Sequence, residues 1–232
     1  MRGCFVTGTD TGVGKTVLTA AIVARLRARG DAVTVLKPVI TGLDEQPDPV
    51  WPHDHELLAR IAGVTADEVV LASYGPPVSP HLAAELAGRG LGLDQLVAGL
   101  EARVEPGSMA IIEGVGGLLV PLDRTHDVRD LARALGLALV IAARPGLGTI
   151  NHTLLTVEAA RRAGLEPAGV VLTPWPGDPG TVERSNLETI ESRGHVEVAT
   201  LPAISAPEPE LLTHAAAALP LERWLEWPGS DR

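Results

Sequence analysis

The sequence predicts a doubly wound α/β fold, a mostly parallel sheet with helices on both faces. Three observations carry that expectation. Short apolar runs alternate with longer stretches of helical periodicity along most of the chain. The short runs lack the polar alternation of a half-exposed strand, as strands covered on both faces do. A glycine-rich turn joins the first strand to the first helix, and folds of this kind bind ligands at the C-terminal ends of their strands.

In order, residues 4–7 read as the first strand. Residues 16–29 read as a helix with Leu18, Ala21, Ile22 and Leu26 on its apolar face and Gly30 as its stop. A second strand covers 33–37, and a helix over 54–61 closes at Gly63. Residues 109–112 form an apolar strand that ends at Glu113. A helix over 128–135, a strand over 137–142 and a helix over 150–163 closed by Gly164 come next. The pattern ends with a strand over 168–172, a helix over 181–192, a weaker strand over 196–201 and a helical region over 211–227. Residues 41–52, with three prolines and three acids, are expected to form a mobile loop, and 174–179 a second irregular segment. With no internal repeat or low-complexity linker, the expectation is a single domain over 1–227 and a frayed tail over 228–232.

The composition supports a packed core. Of 232 residues, 45% are hydrophobic and 21% charged, close to ordinary globular usage. The net charge of −10 argues against nucleic-acid or anionic-membrane partners but leaves room for a local basic site. The one cysteine, Cys4, lies in Gly3-Cys4-Phe5-Val6 and reads as a buried strand thiol, which excludes an internal disulfide and a cysteine-built zinc site. The apolar run over 134–143 is far short of the ~20 residues a membrane helix needs. The apolar N-terminal stretch stops at Thr7, too short for a signal sequence, so the cytoplasm is the expected address.

The strongest motif is Gly8-Thr9-Asp10-Thr11-Gly12-Val13-Gly14-Lys15-Thr16, set between a strand and a helix. Glycines let backbone N–H groups converge on phosphate oxygens, and the helix N-terminus adds partial positive charge. Lys15 can reach β- and γ-phosphates, and the Thr16 hydroxyl can join a Mg²⁺ shell. The first glycine stands one residue earlier than usual, with Thr9 in its place. These features make the expected fold that of a P-loop NTPase. Lys37 ends the second strand and is followed by Pro38-Val39-Ile40-Thr41-Gly42, which directs a lysine toward the same crevice. Glu113 ends a later strand before Gly114-Val115-Gly116-Gly117 and is placed to hold Mg²⁺. Asp54, in Pro52-His53-Asp54-His55, either caps a helix or adds a Mg²⁺ ligand. Hard oxygen ligands suit phosphate chemistry, so His53 and His55 are left out of the metal set.

With Ser79-Pro80-His81 and Gly148-Thr149-Ile150-Asn151-His152 these blocks follow one order, and in that order the sequence resembles the ATP-dependent dethiobiotin synthetase family. The likeness covers most of the chain and weakens after residue 172. It implies that 7,8-diaminononanoate (7,8-diaminopelargonic acid), CO₂ and ATP react with Mg²⁺ in biotin synthesis. The route it implies is a carbamate, then a carbamic-phosphoric anhydride, then a cyclic urea. Lys15 and Lys37 would handle the phosphoryl group and carbamate, and Thr16, Asp54 and Glu113 would hold Mg²⁺. Gly12, Val13, Gly14, Val17, Gly114, Val115 and Gly116 would line the nucleotide. Thr11, Thr41, Gly117 and Leu118 would position the diamine. Thr41 stands where many members have serine.

The family's homodimer implies that Asn151 and the backbone over 147–150 receive the carboxylate of the partner's substrate. Where many members carry Asn-Asp to read adenine, this chain has Thr173-Pro174-Trp175. That implies weak discrimination among nucleoside triphosphates, with Thr173, Pro174, Pro202, Ala203 and Ile204 beside the base. The alternative is a regulatory or partitioning ATPase of related fold. Such proteins usually carry a further lysine early in the phosphate loop, and residues 8–13 contain none. An amidotransferase-type synthetase is disfavoured for want of a glutaminase domain with a nucleophilic cysteine.

Overall fold

The computed structural model describes residues 1–225. The elements run β1 (Gly3–Gly8), α1 (Lys15–Ala28), β2 (Val33–Ile40), α2 (Asp54–Ala62), α3 (Ala66–Val69), β3 (Val70–Ser73), α4 (Pro80–Leu86), α5 (Leu93–Arg103) and β4 (Met109–Glu113). They continue with α6 (Val128–Leu135), β5 (Ala138–Ala143), α7 (Thr149–Arg162), β6 (Pro167–Trp175), α8 (Thr181–Gly194), β7 (Val198–Pro202), α9 (Pro209–Ala215) and α10 (Leu221–Leu225). Seven strands form one sheet in the order β3-β2-β4-β1-β5-β6-β7, and every pairing is parallel. All C-terminal strand ends therefore lie along one edge. The chain leaves β1 toward β2 on one side and returns to β5 on the other, which makes the ends of β1, β4 and β5 the switch point where such sheets bind ligands.

Strand alternation divides the core into two layers. Cys4, Val6, Val35, Ile111, Val140 and Ala142 pack on the face covered by α1, α2, α9 and α10. Phe5, Leu36, Ala110, Ile112, Leu139 and Ile141 pack on the opposite face, against α5, α6, α7 and α8. A period of two then sends Lys37 and Glu113, which follow Leu36 and Ile112, back to the α1 face. Leu36 is paired with Ile112 across the sheet, so the two charged residues arrive as cross-strand neighbours. Cys4 is buried, as expected, and burial pushes its thiol pKa up to about 12.

Several features depart from the sequence expectations. Periodicity assigns nothing to residues 64–108, where the structure has α3, β3, α4 and α5. β3 has only four residues at the sheet edge, too few to show a period, and in α5 only Leu96 and Leu100 are buried. The helix expected over 211–227 is broken into α9, a 3₁₀ turn (Ala216–Ala218) and α10. Pro220, without an N–H and with φ fixed, stands between the last two. Positions 226–227 and the expected tail over 228–232 lie outside the described residues. β2 and β6 run on to Ile40 and Trp175, each through a proline. The loop expected over 41–52 starts as an extension of the β2–β3 edge, with the N–H groups of Gly42, Leu43 and Asp44 donating to the carbonyls of Pro76, Tyr74 and Gly75. Among the described residues no helix is long and apolar enough to cross a membrane.

Candidate active site

The phosphate loop connects β1 to α1 at the sheet's C-terminal edge. Gly12 and Gly14 have φ of 68° and 93°, the left-handed region in which a side chain is strained. Gly14 is also pressed from outside, because a Cβ there would lie 2.9 Å from the Thr173 Cγ2 atom at the end of β6. The Lys15 ammonium folds back over the loop and donates to the Asp10 carbonyl at 2.9 Å. Burial lowers its pKa from 10.5 to about 8; Glu113 opposes this shift, and the second cation, Lys37, adds to it.

Lys37 is the centre of a buried charge cluster. Its ammonium lies 2.6 Å from Glu113 Oε1 and 2.9 Å from Asp54 Oδ2. The Thr16 hydroxyl donates to the same Glu113 oxygen at 2.8 Å. Lys37 and Glu113 are 2% and 0% exposed, so these contacts act where water screens little. Burial pulls the Lys37 pKa down, but Asp54 and then Glu113 outweigh it and hold the ammonium above the usual lysine range. Burial also raises Asp54, and Lys37 more than reverses that, so its carboxylate titrates below the usual range. Burial drives Glu113 upward against the attraction of Lys37. Asp54 is the first residue of α2; the N-cap position belongs to His53, and the Glu56 carboxylate accepts the His53 N–H. Lys15 and Lys37 are the only lysines in the sequence; every other basic residue among its 19 Lys+Arg is arginine.

Glu113 Oε2 is buried and has no hydrogen-bond partner. An orphaned carboxylate oxygen beside a threonine hydroxyl and a second carboxylate is a hard-oxygen donor set, which fits a divalent cation such as Mg²⁺. Among the described residues no three His, Cys, Asp or Glu side chains are placed to hold a metal by themselves. That suits a cation that takes its remaining ligands from phosphate and water.

A cavity of about 740 Å³ opens over this cluster. Thr11, Gly12, Gly14, Lys15, Thr16, Val17, Lys37, Thr41, Asp54, Val115 and Gly116, all named from the sequence, line it. The loop after β2 adds Glu45, Asp48 and Trp51, and the turn before α4 adds Ser79. Sequence reasoning left out the first three because an acidic, proline-rich stretch carries no motif. A cavity of about 480 Å³ between α7 and α8 lies apart from the strand ends; its Arg161 is tied to Glu166 and to the carbonyls of Gly194 and His195, and its Arg162 to Glu158.

A family model described as an AAA domain matches residues 2–210. The ATP-dependent dethiobiotin synthetase of Mycobacterium avium is 46% identical over 208 residues, 89% of each chain. That of Mycobacterium marinum is 46% identical over 187 residues, 80% of each chain, and that of Mycobacterium leprae 43% identical over 208 residues, 88% of each. This chain belongs to the ATP-dependent dethiobiotin synthetase family.

Solved structures extend the likeness at the level of fold. The cell division ATPase MinD of Pyrococcus furiosus superimposes with a TM-score of 0.53 at 19% identity, covering 99% of this chain and 94% of that one. Cobyrinic acid a,c-diamide synthase of Mycobacterium smegmatis, described with a bound ATP analog and magnesium, gives 0.52 at 17%, covering 94% and 92%. At such identities these neighbours show the P-loop α/β architecture alone, so the MinD likeness does not revive the partitioning-ATPase alternative.

The remaining residues that the dethiobiotin synthetase likeness named lie around the cavity or away from it. Val13 and Leu118 are buried in the core, and Gly114 sits where a Cβ would press on Phe5 and Val128. Gly117 passes beside the start of the phosphate loop, 3.5 Å from the Gly8 carbonyl at its Cβ position. Thr173 is buried against Gly14, whereas Pro174 is exposed. Trp175 pairs with Pro202, and the Ala203 N–H donates to the Trp175 carbonyl, so the two segments named for the base lie side by side. None of these five, Thr173, Pro174, Pro202, Ala203 and Ile204, lines the cavity. Asn151 is exposed in the first turn of α7, outside the cavity, and the neighbouring Leu147 is 99% exposed.

Proposed function

We propose that this chain closes the cyclic urea of dethiobiotin from 7,8-diaminononanoate and CO₂, converting ATP to ADP and phosphate. The single observation that carries the reading is the Lys37 cluster, a buried ammonium and two carboxylates at the floor of a cavity rimmed by the phosphate loop. One amine of the substrate adds to CO₂ and loses a proton, giving a carbamate. A carbamate oxygen attacks the γ-phosphorus and ADP leaves. The second amine attacks the carbamoyl carbon, the C–O bond to phosphate breaks, and the ring closes with loss of protons to solvent.

Each step gathers anions, and the role of the chain is to offset their repulsion and hold them in line. Lys15 turns from the Asp10 carbonyl to the γ-phosphate and carbamate. Lys37 polarises the carbamate and stabilises the phosphoryl group in flight. Thr11 and Thr41 orient the amines by their hydroxyls. Thr16, Asp54 and Glu113 would hold Mg²⁺, which supplies charge neutralisation on the phosphate oxygens. No covalent bond to the protein is needed.

The first turn of α7 leaves N–H groups outside the helical ladder, a natural receptor for a carboxylate. With exposed Leu147 and Leu155 nearby, it supports a homodimer in which Asn151 and the backbone over 147–150 hold the partner's substrate. Thr173-Pro174 offers no side-chain amide to read adenine, which supports use of several triphosphates. We take residues 1–227 to act as one domain, in the cytoplasm, with no nucleic-acid or membrane partner. The test is incubation with diaminononanoate, bicarbonate, Mg²⁺ and ATP. Dethiobiotin and ADP in equal amounts support the reading; ATP hydrolysis without dethiobiotin refutes it.

A further inference from the structure

The end of β5 carries a cation that the reaction scheme does not use. Arg144 follows Ala143, the last residue of the strand, and its Nη2 donates to the Gly12 carbonyl at 3.2 Å. A Cβ on Gly12 would lie 3.3 Å from the same nitrogen, so the guanidinium rests directly on the loop. We propose that Arg144 is a positioning residue for the triphosphate, locking the Gly12–Val13 peptide so that its carbonyl points outward and the Val13 N–H turns toward the phosphates. The inference rests on the synthetase reading above.

In a planar trans peptide the C=O and N–H point in opposite directions. A cation that fixes the Gly12 oxygen therefore fixes the Val13 hydrogen on the other side. Gly12, at φ 68°, has the conformational freedom to let this peptide flip. Flipped, it would present a carbonyl lone pair to the phosphates in place of a donor. Arg144 favours the orientation that an anion needs.

An exposed arginine usually loses much of such a bond to entropy. Here its backbone is anchored on both sides. The Thr9 N–H donates to the Ala142 carbonyl at 3.0 Å, tying the strand end to the start of the phosphate loop. The buried Asn186 side chain on α8 donates to the carbonyls of Pro145 and Gly146 at 2.8 and 3.2 Å. The α8 side of the fold thus reaches the phosphate loop through a short, fixed segment.

The test measures binding of a fluorescent, non-hydrolysable ATP analogue with Mg²⁺, in the absence of diamine, alongside steady-state kinetics. Arg144→Ala is expected to raise Kd for the analogue and KM for ATP about five- to tenfold, the low end for a charge-assisted hydrogen bond at an exposed site. The kcat and the KM for diaminononanoate should stay within about twofold, and Arg144→Lys should recover part of the affinity. Asn186→Ala, which loosens the segment without touching Arg144, should raise Kd about threefold. Unchanged Kd in Arg144→Ala, or a fall in kcat with Kd unmoved, overturns the proposal. So does a lysine variant that binds no better than the alanine one. Failure of the wild-type protein to bind the analogue would instead overturn the synthetase reading, and this inference with it.

Discussion

Replacing Lys37 by methionine keeps much of the side-chain volume and removes the charge. Glu113, fully buried with one oxygen already unpartnered, then loses the ammonium 2.6 Å away. Breaking a buried pair in this way costs about 3–5 kcal/mol. For a chain of this size that corresponds to a fall in Tm of about 6–20 °C. Asp54 adds little, because its side chain is 45% exposed and water can replace the lysine there. Glu113 can also escape the penalty by taking up a proton. Burial already raises its pKa, and losing Lys37 raises it further. A carboxylate whose folded pKa exceeds its unfolded one binds more protons in the folded state, so stability falls as pH rises between the two. The deficit of Lys37→Met should therefore shrink toward pH 5. The double variant Lys37→Met/Glu113→Gln removes both charges and should recover at least half of the lost Tm. Turnover should fall about a hundredfold or more in both variants, with nucleotide binding largely kept in the single one. Thermal melts over a pH series, with turnover, are the assay. A single variant that melts within about 2 °C of the wild type at neutral pH, or a double variant that melts lower than the single, would refute the reasoning.

Glu113→Gln should raise the Mg²⁺ concentration needed for half-maximal turnover, and an unchanged Mg²⁺ titration would remove this residue from the metal set. Apart from the N-terminus the chain offers an amine reagent only Lys15 and Lys37. Lys15, lowered to about 8, should become reactive as pH rises through 8, and a bound triphosphate should shield it. Lys37, buried and held protonated, should stay unlabelled; peptide mass spectrometry separates the two, and equal labelling would contradict the charge assignments. CTP and GTP should support turnover within about tenfold of ATP if no side-chain amide reads the base, and a kcat/KM lower by orders of magnitude would show that the base is read by other groups.

The phosphate site was legible because its chemistry imposes local order. Gly12, Gly14, Lys15 and Thr16 form one contiguous run, and strand periodicity alone sends Lys37 and Glu113 to the same face of the sheet. Their meeting required the register of β2 on β4, which pairs residues 76 apart in sequence, yet both stand out in the sequence as charges that close apolar runs, although β2 itself continues past Lys37 to Ile40. Residues 64–108 were illegible for the opposite reason. A four-residue edge strand and a helix with two buried leucines depend on tertiary contacts rather than on a period. Arg144 was visible only as the flank of an apolar run. Its contact with Gly12 spans 132 positions and follows from β5 lying beside β1. The break before α10 could have been read from Pro220, but the alanine-rich stretch before it favours continuous helix by propensity.

The proposed reaction transfers phosphate to a carbamate in the cavity over Lys37. Freshly added C¹⁸O₂, supplied to the protein with diaminononanoate, Mg²⁺ and unlabelled ATP, tests it most directly. If a carbamate oxygen attacks the γ-phosphorus and leaves with it on ring closure, each dethiobiotin formed is matched by one phosphate carrying a single ¹⁸O by mass spectrometry. Dethiobiotin accompanied only by unlabelled phosphate would contradict the account.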